Sequence, residues 1–418
     1  MPEAPLVEKI LSRLSAPMAA ILTETAKAAR RRGLSLYLVG GSVRDLLLER
    51  SHLDVDLAVE GDAASLAEEL AAAVGARLAV HHRFGTASLR GLDVGLDLAQ
   101  TRDEHYDRPG TLPSVRPATI AQDLARRDFT VNALALGLTG EQAGRLLDSY
   151  GGQRDLAARR LRVLHDGSFQ DDATRILRGL RYEGRLGFRL EARTQRLLRR
   201  DLSYLDTISG ARLRRELLAI LAEDRSERIL ARAQGLGVLA ALHPALSFDR
   251  RRAAAFAAAR GRPLAPLPEV YLCLLVAKAT PAQVEGALLR LALHGAWERA
   301  LRDSLRLRQE ASRLAVPGLR PSEVVVALEG FRAAAIAAHA VLEPPGVARR
   351  RLRQYLEHWR YRRPALRGQD LQALGIAPGP AMGQILARLR AARLDGEARR
   401  REDEVTLVRA WLSTGTPK

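Results

Sequence analysis

The chain changes its hydrophobic pattern about halfway along. Between residues 34 and 150, short apolar runs with alternating polar positions are interleaved with segments in which apolar residues recur three and four positions apart. A period of two is typical of strands, and a period near 3.6 is typical of amphipathic helices. The pattern predicts mostly helix over 1–33, a helix over 63–74, and strands over 36–39, 53–59, 78–80, 86–89 and 94–99.

Strands and helices interleaved in this way indicate an α/β unit with a mixed sheet. From residue 228 to the end, the chain is rich in Ala, Leu and Arg and is punctuated by Gly and Pro, which predicts successive helices. Residues 101–121 contain several prolines and lack periodicity, so we expect a long connection there.

The net charge of the chain limits the kinds of molecule that we expect it to bind. The 418 residues carry a formal net charge of +18. A chain this basic binds nucleic acid, an anionic membrane or an acidic protein, unless its arginines serve only surface solubility. The single cysteine, Cys273, excludes a disulfide or a Cys-zinc site within one chain. No apolar stretch reaches membrane-spanning length and the N-terminus does not read as a signal peptide, so we expect a cytoplasmic location without a membrane partner.

The first candidate site is the pair Gly40-Gly41, directly after the predicted strand 36–39. Glycine lets the backbone approach a ligand closely because it has no Cβ. Ser42 and Asp45, three residues apart, are a helix-start signature. Backbone N–H groups at such a start, with Arg44 beside them, suit a phosphate chain, whereas an isolated Gly-Gly would be an ordinary turn.

The predicted strand 53–59 carries two carboxylates, Asp54 and Asp56, on one face. Two carboxylates about 7 Å apart repel each other unless a cation lies between them. Mg2+ takes oxygen ligands of this kind and bridges to a substrate's phosphates, whereas the alternative is a solvated strand face. The opposite face is apolar and should face a core; it consists of Leu53, Val55, Leu57 and Val59.

The glycine pair and the two carboxylates occur in the strings LVGGSVRD and DVD, in this order along the chain. With these two strings the chain resembles the nucleotidyltransferases that share the polymerase-β-like palm. More narrowly, it resembles the class II tRNA nucleotidyltransferases (CCA-adding enzymes) and the bacterial poly(A) polymerases. The resemblance implies transfer of NMP to an RNA 3′ hydroxyl with two Mg2+ ions. It implies metal binding by Asp54 and Asp56, catalysis by these two with Asp97 as a candidate third carboxylate, and triphosphate binding by Gly40, Gly41 and Arg44.

A second element is the string RRDFTVNAL, which begins at Arg126. Arg127 can reach a phosphate, and Asp128 can accept a hydrogen bond from a ribose hydroxyl. A plain salt bridge ahead of a helix is the alternative. The string resembles the family motif credited with recognising ribose, which places Arg127, Asp128 and Asn132 in nucleotide binding.

A third element, residues 168–188, predicts one amphipathic helix. Its apolar side holds Ala173, Ile176, Leu177 and Leu180, and its polar side holds Asp172, Arg175, Arg178 and Arg181. An Asp acceptor beside an Arg donor complements the edge of cytosine or adenine, although an i, i+3 ion pair alone gives the same spacing. The segment resembles the family's EDxxR motif, with Asp171 in place of Glu. The resemblance implies base selection by Asp172 and Arg175, with support from Arg178 and Arg181.

Weaker resemblances place the remaining boundaries. Residues 147–156 resemble the family's glycine-rich hinge, and residues 209–217 resemble its GERIxxEL motif with Ala211 in place of Glu. Residues 349–367 interleave Arg with aromatic residues, which indicates RNA binding or a solvated charged face. The segment from Gly368 onward resembles the family's tail.

The predicted fold class is α+β: a polymerase-β-like palm head with a mixed sheet and helices, followed by an all-α neck, body and tail. The predicted domains are a head over 1–150, a base-recognising neck over 151–230, a body over 231–345, and a tRNA-binding tail over 346–418. The expected enzyme adds or completes the 3′ CCA of tRNA from CTP and ATP. A partial A-adding or CC-adding enzyme, a poly(A) polymerase and a catalytically silent RNA-binding protein are the alternatives, and the oligomeric state is open.

Overall fold

The computed structural model describes residues 4–50, 54–81, 85–90 and 96–414. The chain forms two compact units, one comprising Met1–Glu216 and Gly235–Ala241 and the other comprising Leu217–Gln234 and Leu242–Lys418. The four predicted domains remain a prediction, because compactness groups the head with most of the predicted neck.

The first unit is built on a mixed sheet, as predicted. The strand order is β3-β4-β5-β2-β1-β8-β9, with β2 and β5 parallel and the other pairs antiparallel. Two further pairs of short strands lie outside this sheet, β6 with β7 and β10 with β11. The strands are β1 (Ser35–Val39), β2 (Asp56–Glu60), β3 (Arg77–His81), β4 (Thr86–Arg90), β5 (Leu96–Gln100), β6 (Arg102–His105), β7 (Ser114–Pro117), β8 (Ala135–Gly137), β9 (Leu146–Leu147), β10 (Arg160–Leu161) and β11 (Arg189–Leu190).

Helices of the first unit cover the sheet and extend beyond it. The predicted helix over 63–74 is confirmed, with Asp62 as its side-chain N-cap. The helices are α1 (Ala4–Arg13), α2 (Ala16–Arg31), α3 (Gly41–Leu47), α4 (Ala63–Val74), α5 (Ile120–Ala125), α6 (Gly152–Ala157), α7 (Ser168–Asp171), α8 (Thr174–Leu186), α9 (Ala192–Arg200) and α10 (Gly210–Leu221), the last of which continues into the second unit.

The central strands are buried because helices pack on the sheet. Val55, Leu57 and Val59 are all less than 5% exposed, as the alternation predicted, and Leu53 lies outside the described residues. Residues of β1, β2 and β8 form one core cluster with Ile120 and Leu124 of α5. The sheet therefore holds the polar end of β2 in a fixed position.

Two local predictions about this unit are wrong. Residues 101–121 are not an unstructured connection, because β6 and β7 pair there; both strands are too polar to show an apolar alternation. Helix α3 begins at Gly41 with Gly40 as its N-cap, so Ser42 lies inside the helix and does not cap it.

The second unit is helical in its described residues, as predicted for the chain beyond residue 228. Its tail has a core of its own around Leu371, Leu389 and Val408. The helices are α11 (Ser226–Gly235), α12 (Val238–Leu242), α13 (Arg250–Gly261), α14 (Leu267–Leu275), α15 (Pro281–Arg290), α16 (Ala296–Leu314), α17 (Pro321–Leu328), α18 (Ala333–Leu342), α19 (Val347–Glu357), α20 (Gly368–Ala373), α21 (Pro380–Asp395) and α22 (Arg401–Ser413). The last residue of α11 and all of α12 except Leu242 belong to the first unit.

A search of the described helices for membrane spans found no single helix of sufficient length and apolarity. Helices α17 and α18 together meet the criteria of length and composition, but they are bent by 119° where they join.

Candidate active site

The turn between β1 and α3 brings the glycine pair next to the carboxylate strand. Gly40 has a φ of 66°, which side chains rarely tolerate, and a Cβ at this position would overlap Nη1 of Arg127. The hydroxyl of Ser42 accepts a hydrogen bond from the backbone N–H of Asp56 at 2.9 Å. The turn and the start of β2 are therefore in direct contact.

Asp54 and Asp56 both line one cleft of the first unit, together with Gly41. Asp97 on β5 is the register partner of Asp56 on the parallel strand β2. The Asp97 carboxylate accepts hydrogen bonds from Ser88 Oγ at 2.6 Å and from Arg90 Nη2 at 2.8 Å. Asp97 is not among the described residues that line the cleft, so the structure brings two of the three predicted carboxylates to it.

The electrostatics of Asp56 fit a bound cation. Its side chain reaches the surface of the cleft, but the surrounding protein removes part of its hydration, which raises its pKa. The charge of Asp97, and to a lesser extent that of Asp54, raises the pKa further, while Arg127 lowers it. Among the described residues there is no cluster of three or more acidic, His or Cys side chains that could hold a metal ion. Two carboxylates nevertheless fit Mg2+, which commonly takes one or two protein carboxylates and completes its shell with phosphate oxygens and water.

A hydrogen-bonded chain connects the glycine turn to the ribose-type motif. Arg44 of α3 is buried and donates from Nη1 to Asn132 Oδ1 at 2.6 Å. Asn132 then donates from Nδ2 to Asp128 Oδ1 at 2.9 Å. Arg178 of α8 donates to the other oxygen of Asp128. The three predicted motifs are thus linked through these four side chains.

Asp128 is held as a carboxylate. Its burial alone would raise its pKa, but the charge of Arg178 and hydrogen bonds from Asn132 and Arg178 outweigh burial and lower the pKa to about 2. The charge of Asp128 in turn raises the pKa of Arg178. At neutral pH the pair is fully ionised.

The ring of Tyr182 lies among three guanidinium groups. Those of Arg44, Arg178 and Arg181 are 5.4–5.6 Å from its centroid. Its hydroxyl accepts from Arg178 Nη2 at 2.9 Å, and Arg181 donates to Glu216 at 3.3 Å. The aromatic face stabilises a concentration of positive charge at the wall of the cleft.

The base-recognition element differs from the predicted helix. Asp172 has extended backbone angles (φ −143°, ψ 98°) between α7 and α8, so the prediction of one continuous helix with an i, i+3 pair to Arg175 is wrong at this residue. Asp172 forms a salt bridge with Arg212 at 2.8 Å instead. The rest of the amphipathic prediction is confirmed, since the four apolar residues Ala173, Ile176, Leu177 and Leu180 are buried.

The cleft has a volume of about 540 Å³ and is strongly polar. It gathers all of the predicted nucleotide-binding residues except Gly40, whose role is to let Arg127 approach the backbone. The predicted residues that line it are Asp54, Asp56, Gly41, Arg44, Arg127, Asp128, Asn132, Asp172, Arg175, Arg178 and Arg181.

Comparison with known proteins agrees with this geometry. Residues 36–162 match a family model described as the poly A polymerase head domain, and residues 187–249 match one described as the probable RNA and SrmB-binding site of polymerase A. A CC-adding tRNA nucleotidyltransferase from Deinococcus radiodurans is 35% identical over 390 residues, which is 92% of this chain and 92% of that protein. The chain belongs to the tRNA nucleotidyltransferase family.

Two other relatives in the tRNA nucleotidyltransferase family are longer than this chain. An A-adding tRNA nucleotidyltransferase from Geobacter sulfurreducens is 34% identical over 417 residues, or 94% of this chain and 47% of that protein. This chain therefore spans about half the length of that relative, and its match to an A-adding enzyme from Aquifex aeolicus covers 24% of that protein.

Solved structures of the family have the same fold. A CCA-adding enzyme in apo form II is 29% identical with a TM-score of 0.80, over 96% of this chain and 98% of that one. The Thermotoga maritima CCA-adding enzyme complexed with tRNA is 28% identical with a TM-score of 0.76, over 99% of both chains. CCA-adding enzymes in complex with ATP and with CTP give TM-scores of 0.79 and 0.78.

Sequence reasoning missed several residues that line the cleft in this member of the tRNA nucleotidyltransferase family. Glu104 lies in β6, and it accepts hydrogen bonds from Arg126 at 2.7 Å and from the hydroxyl of Tyr106 at 2.8 Å. Burial and the charge of Glu104 raise the pKa of Tyr106. No local pattern marks these residues, whereas Glu216 and Arg212 could have been found through the GERIxxEL-like string.

Proposed function

We propose that this chain is a template-independent tRNA nucleotidyltransferase that adds or completes the 3′-terminal CCA of tRNA from CTP and ATP. The observation that carries the proposal is the cleft in which Asp54 and Asp56 face the nucleotide-binding arginines. Solved complexes of similar CCA-adding enzymes with tRNA, ATP and CTP support the three substrates. We also propose that the protein works in the cytoplasm, where its tRNA substrate is present.

In the proposed reaction, Asp54 and Asp56 would hold two Mg2+ ions. Bound Mg2+ supplies activation of the attacking 3′ hydroxyl and neutralisation of triphosphate charge. The chain's own residues orient the substrates. Asp97 is the candidate third carboxylate, because its register with Asp56 puts it on the same side of the sheet.

The basic wall of the cleft would bind the triphosphate and the sugar. Arg127 lies against the glycine turn and is held by Asp123 at 2.9 Å, so its guanidinium is oriented before a nucleotide enters. Arg178 and Arg181 line the same wall beside Tyr182. Asp128 and Asn132 are fixed by the hydrogen-bonded chain from Arg44, which would position the ribose end.

Selection of the base is proposed to depend on Asp172 and Arg175. Arg175 is buried and donates to Ser168 Oγ and to the backbone oxygen of Arg126, both at 2.7 Å. A pocket whose donors and acceptors are fixed by protein contacts reads a base edge without a nucleic acid template.

The second unit is proposed to bind the body of the tRNA. Tyr361 is 61% exposed and Arg360 lies over its ring at 4.6 Å, an arrangement suited to stacking on RNA. Tyr355, which the sequence grouped with it, is buried and does not present its ring. The basic residues around α19 would contact phosphates.

The alternatives within the family are a partial enzyme, adding only A or only CC, and a poly(A) polymerase. Relatives named A-adding and CC-adding have nearly the same identity to this chain, 34% and 35%. A catalytically silent RNA-binding protein is disfavoured, because both carboxylates and the glycine turn are in place.

The decisive experiment supplies tRNAs truncated before the first C, the second C and the final A, each with single NTPs and with a mixture. A full CCA enzyme extends all three to the same end point with CTP and ATP. Extension only with CTP or only with ATP identifies a partial enzyme, and a long A ladder identifies a poly(A) polymerase. Absence of NMP incorporation, or full incorporation by Asp54→Ala, would overturn the assignment.

A further inference from the structure

We propose that Arg212 is a positioning residue for base selection, holding the Asp172 carboxylate in the orientation that a base meets. The inference rests on the proposed function of the cleft. It concerns a side chain that the sequence motifs did not assign to nucleotide binding.

Asp172 needs such a partner because of where it lies. It has extended backbone angles at the C-terminal end of α7. Its backbone N–H still donates to the backbone oxygen of Ser168 at 3.4 Å, but its side chain does not occupy a regular helical position. Its Oδ1 accepts from the backbone N–H of Thr174 at 2.9 Å and from the Thr174 hydroxyl at 2.7 Å. Its Oδ2 is paired with Nη2 of Arg212 at 2.8 Å. Local contacts therefore fix one oxygen, and Arg212 fixes the other.

Arg175, the expected partner by sequence spacing, is committed elsewhere. Its Nη1 donates to Ser168 and its Nη2 donates to the backbone oxygen of Arg126. The salt bridge that Asp172 makes therefore comes from α10, forty residues along the chain, and not from its own helix.

Arg212 is itself held at a second point. Its Nη1 donates to the backbone oxygen of Gly110 at 3.2 Å. Gly110 packs so closely on Thr207 that a Cβ would overlap it, and its φ is 77°. A guanidinium that donates in two fixed directions has a defined plane, and Arg212 presents that plane at the wall of the cleft beside Asp172.

The physical consequence concerns discrimination between bases. A carboxylate with both oxygens engaged has a fixed set of remaining acceptor directions, whereas one released from Arg212 can rotate and accept from several base edges. Loss of one charge-assisted hydrogen bond that orients a reading group should reduce discrimination by about tenfold to a hundredfold.

The test measures kcat/KM for CTP, ATP, UTP and GTP on truncated tRNAs with the unaltered chain, Arg212→Ala, Arg212→Lys and Arg214→Ala. Arg214 lies on the same helix but does not line the cleft, so its variant is the matched control for charge. We expect Arg212→Ala to lower the ratio of correct to incorrect nucleotides by about tenfold or more. Arg212→Lys should restore part of that ratio, and Arg214→Ala should leave it unchanged.

Two results would overturn the inference. If Arg212→Ala keeps the unaltered ratio, or lowers kcat/KM for all four nucleotides by the same factor, Arg212 has a structural role only. Thermal unfolding of each variant identifies general destabilisation, and Arg212→Lys, which retains the cation, still reports on positioning if Arg212→Ala does not fold. If the unaltered chain transfers no nucleotide, the proposed function fails and this inference fails with it; failure of the inference alone leaves transfer by the unaltered chain intact.

Discussion

Asp128 and Arg178 are joined by two hydrogen bonds, of 2.9 and 2.6 Å, from Nε and Nη2 of the guanidinium to one carboxylate oxygen. Asp128 belongs to the string that follows α5, and Arg178 lies on α8, fifty residues later. The pair therefore fixes the helix that carries the cationic wall against the part of the chain that resembles the ribose motif. The geometry of the cleft depends on this contact.

Removal of the Asp128 carboxylate should destabilise the protein strongly. Asp128→Ala removes both hydrogen bonds and leaves the Arg178 guanidinium, whose side chain is 34% exposed, with the more distant Glu216 at 3.9 Å. Loss of such charge-assisted hydrogen bonds should cost about 2–3 kcal/mol. Glu69→Ala is the control, because Glu69 forms an exposed pair with Arg31 and should change the unfolding free energy by less than about 1 kcal/mol. Chemical denaturation of both variants checks the difference, and equal losses would contradict the prediction.

The same carboxylate makes stability depend on pH in the acid range. The pKa of Asp128 is lowered to about 2 in the folded protein, below its unfolded value of about 3.9. The contribution of the Asp128 carboxylate to the unfolding free energy is therefore fully present above pH 3.9 and is lost as the pH falls through 2. The difference in unfolding free energy between the unaltered chain and Asp128→Asn should shrink by about 2 kcal/mol between pH 5 and pH 2. A difference that does not change with pH would show that Asp128 titrates normally.

Much of the site could be predicted because its signals are local. Gly40-Gly41 follows an apolar strand, and Asp54 and Asp56 have the spacing of one strand face, so neither inference required knowledge of distant contacts. Asp97 was a candidate only through the family resemblance, because its register with Asp56 depends on the pairing of β2 with β5, which the sequence does not reveal.

The errors arose where a distant partner overrides a local pattern. The spacing of Asp172 and Arg175 fits a helix, but Asp172 is drawn out of helical geometry by Thr174 and by Arg212 from α10. Ser42 has the spacing of an N-cap, yet its hydroxyl accepts from Asp56 on the next strand. The hydrogen bonds with Thr174 are local and compete with helical geometry, whereas the contacts with Arg212 and Asp56 are tertiary and a single sequence does not reveal them.

Substitution of Gly40 should separate a steric effect from backbone strain. Gly40→Ala places a methyl group at a positive φ and displaces Arg127, whereas Gly33→Ala has the same φ of 66° with open space around its Cβ position. Both should lose stability, by about 1–3 kcal/mol, because alanine tolerates a positive φ poorly, and the loss should be larger for Gly40→Ala because the ψ of −122° at Gly40 lies outside the left-handed helical region. Only Gly40→Ala should also lose transfer activity, with a raised KM for the nucleotide. Equal activities of the two variants would remove Arg127 from the proposed mechanism.

Transfer should require both strand carboxylates and a divalent cation. Asp54→Asn and Asp56→Asn should each lower kcat by about a thousandfold or more. Each variant removes a carboxylate ligand of the metal ions, and the stabilisation of transition-state charge by these ions is worth several kcal/mol. Asp97→Asn should have a smaller effect, since its carboxylate is held by Ser88 and Arg90. Chelation should abolish transfer and Mg2+ should restore it, and activity in a chelator would contradict the metal assignment.

Three arginines of α19 provide the test of RNA binding by the second unit. Arg349, Arg350 and Arg353 line one surface depression near the N-terminus of α19, where the helix dipole disfavours cations. Burial and the charges of Arg349 and Arg262 lower the pKa of Arg353 by more than the charge of Glu357 raises it, which indicates an excess of positive charge at this surface. Arg351 is excluded from the set because it is buried and donates to the backbone oxygens of three residues of the same unit.

Replacement of these three arginines by Ala should raise the KM for tRNA while leaving the KM for CTP and ATP unchanged. If each contacts one phosphate, the slope of log affinity against log salt should fall by about 2–3. The matched control replaces Arg302, Arg313 and Arg401 by Ala. This variant loses the same charge, but its three arginines are paired with Glu285, Glu310 and Asp370. A salt slope that falls equally in both triple variants would mean that net charge alone, and not this surface, attracts the RNA.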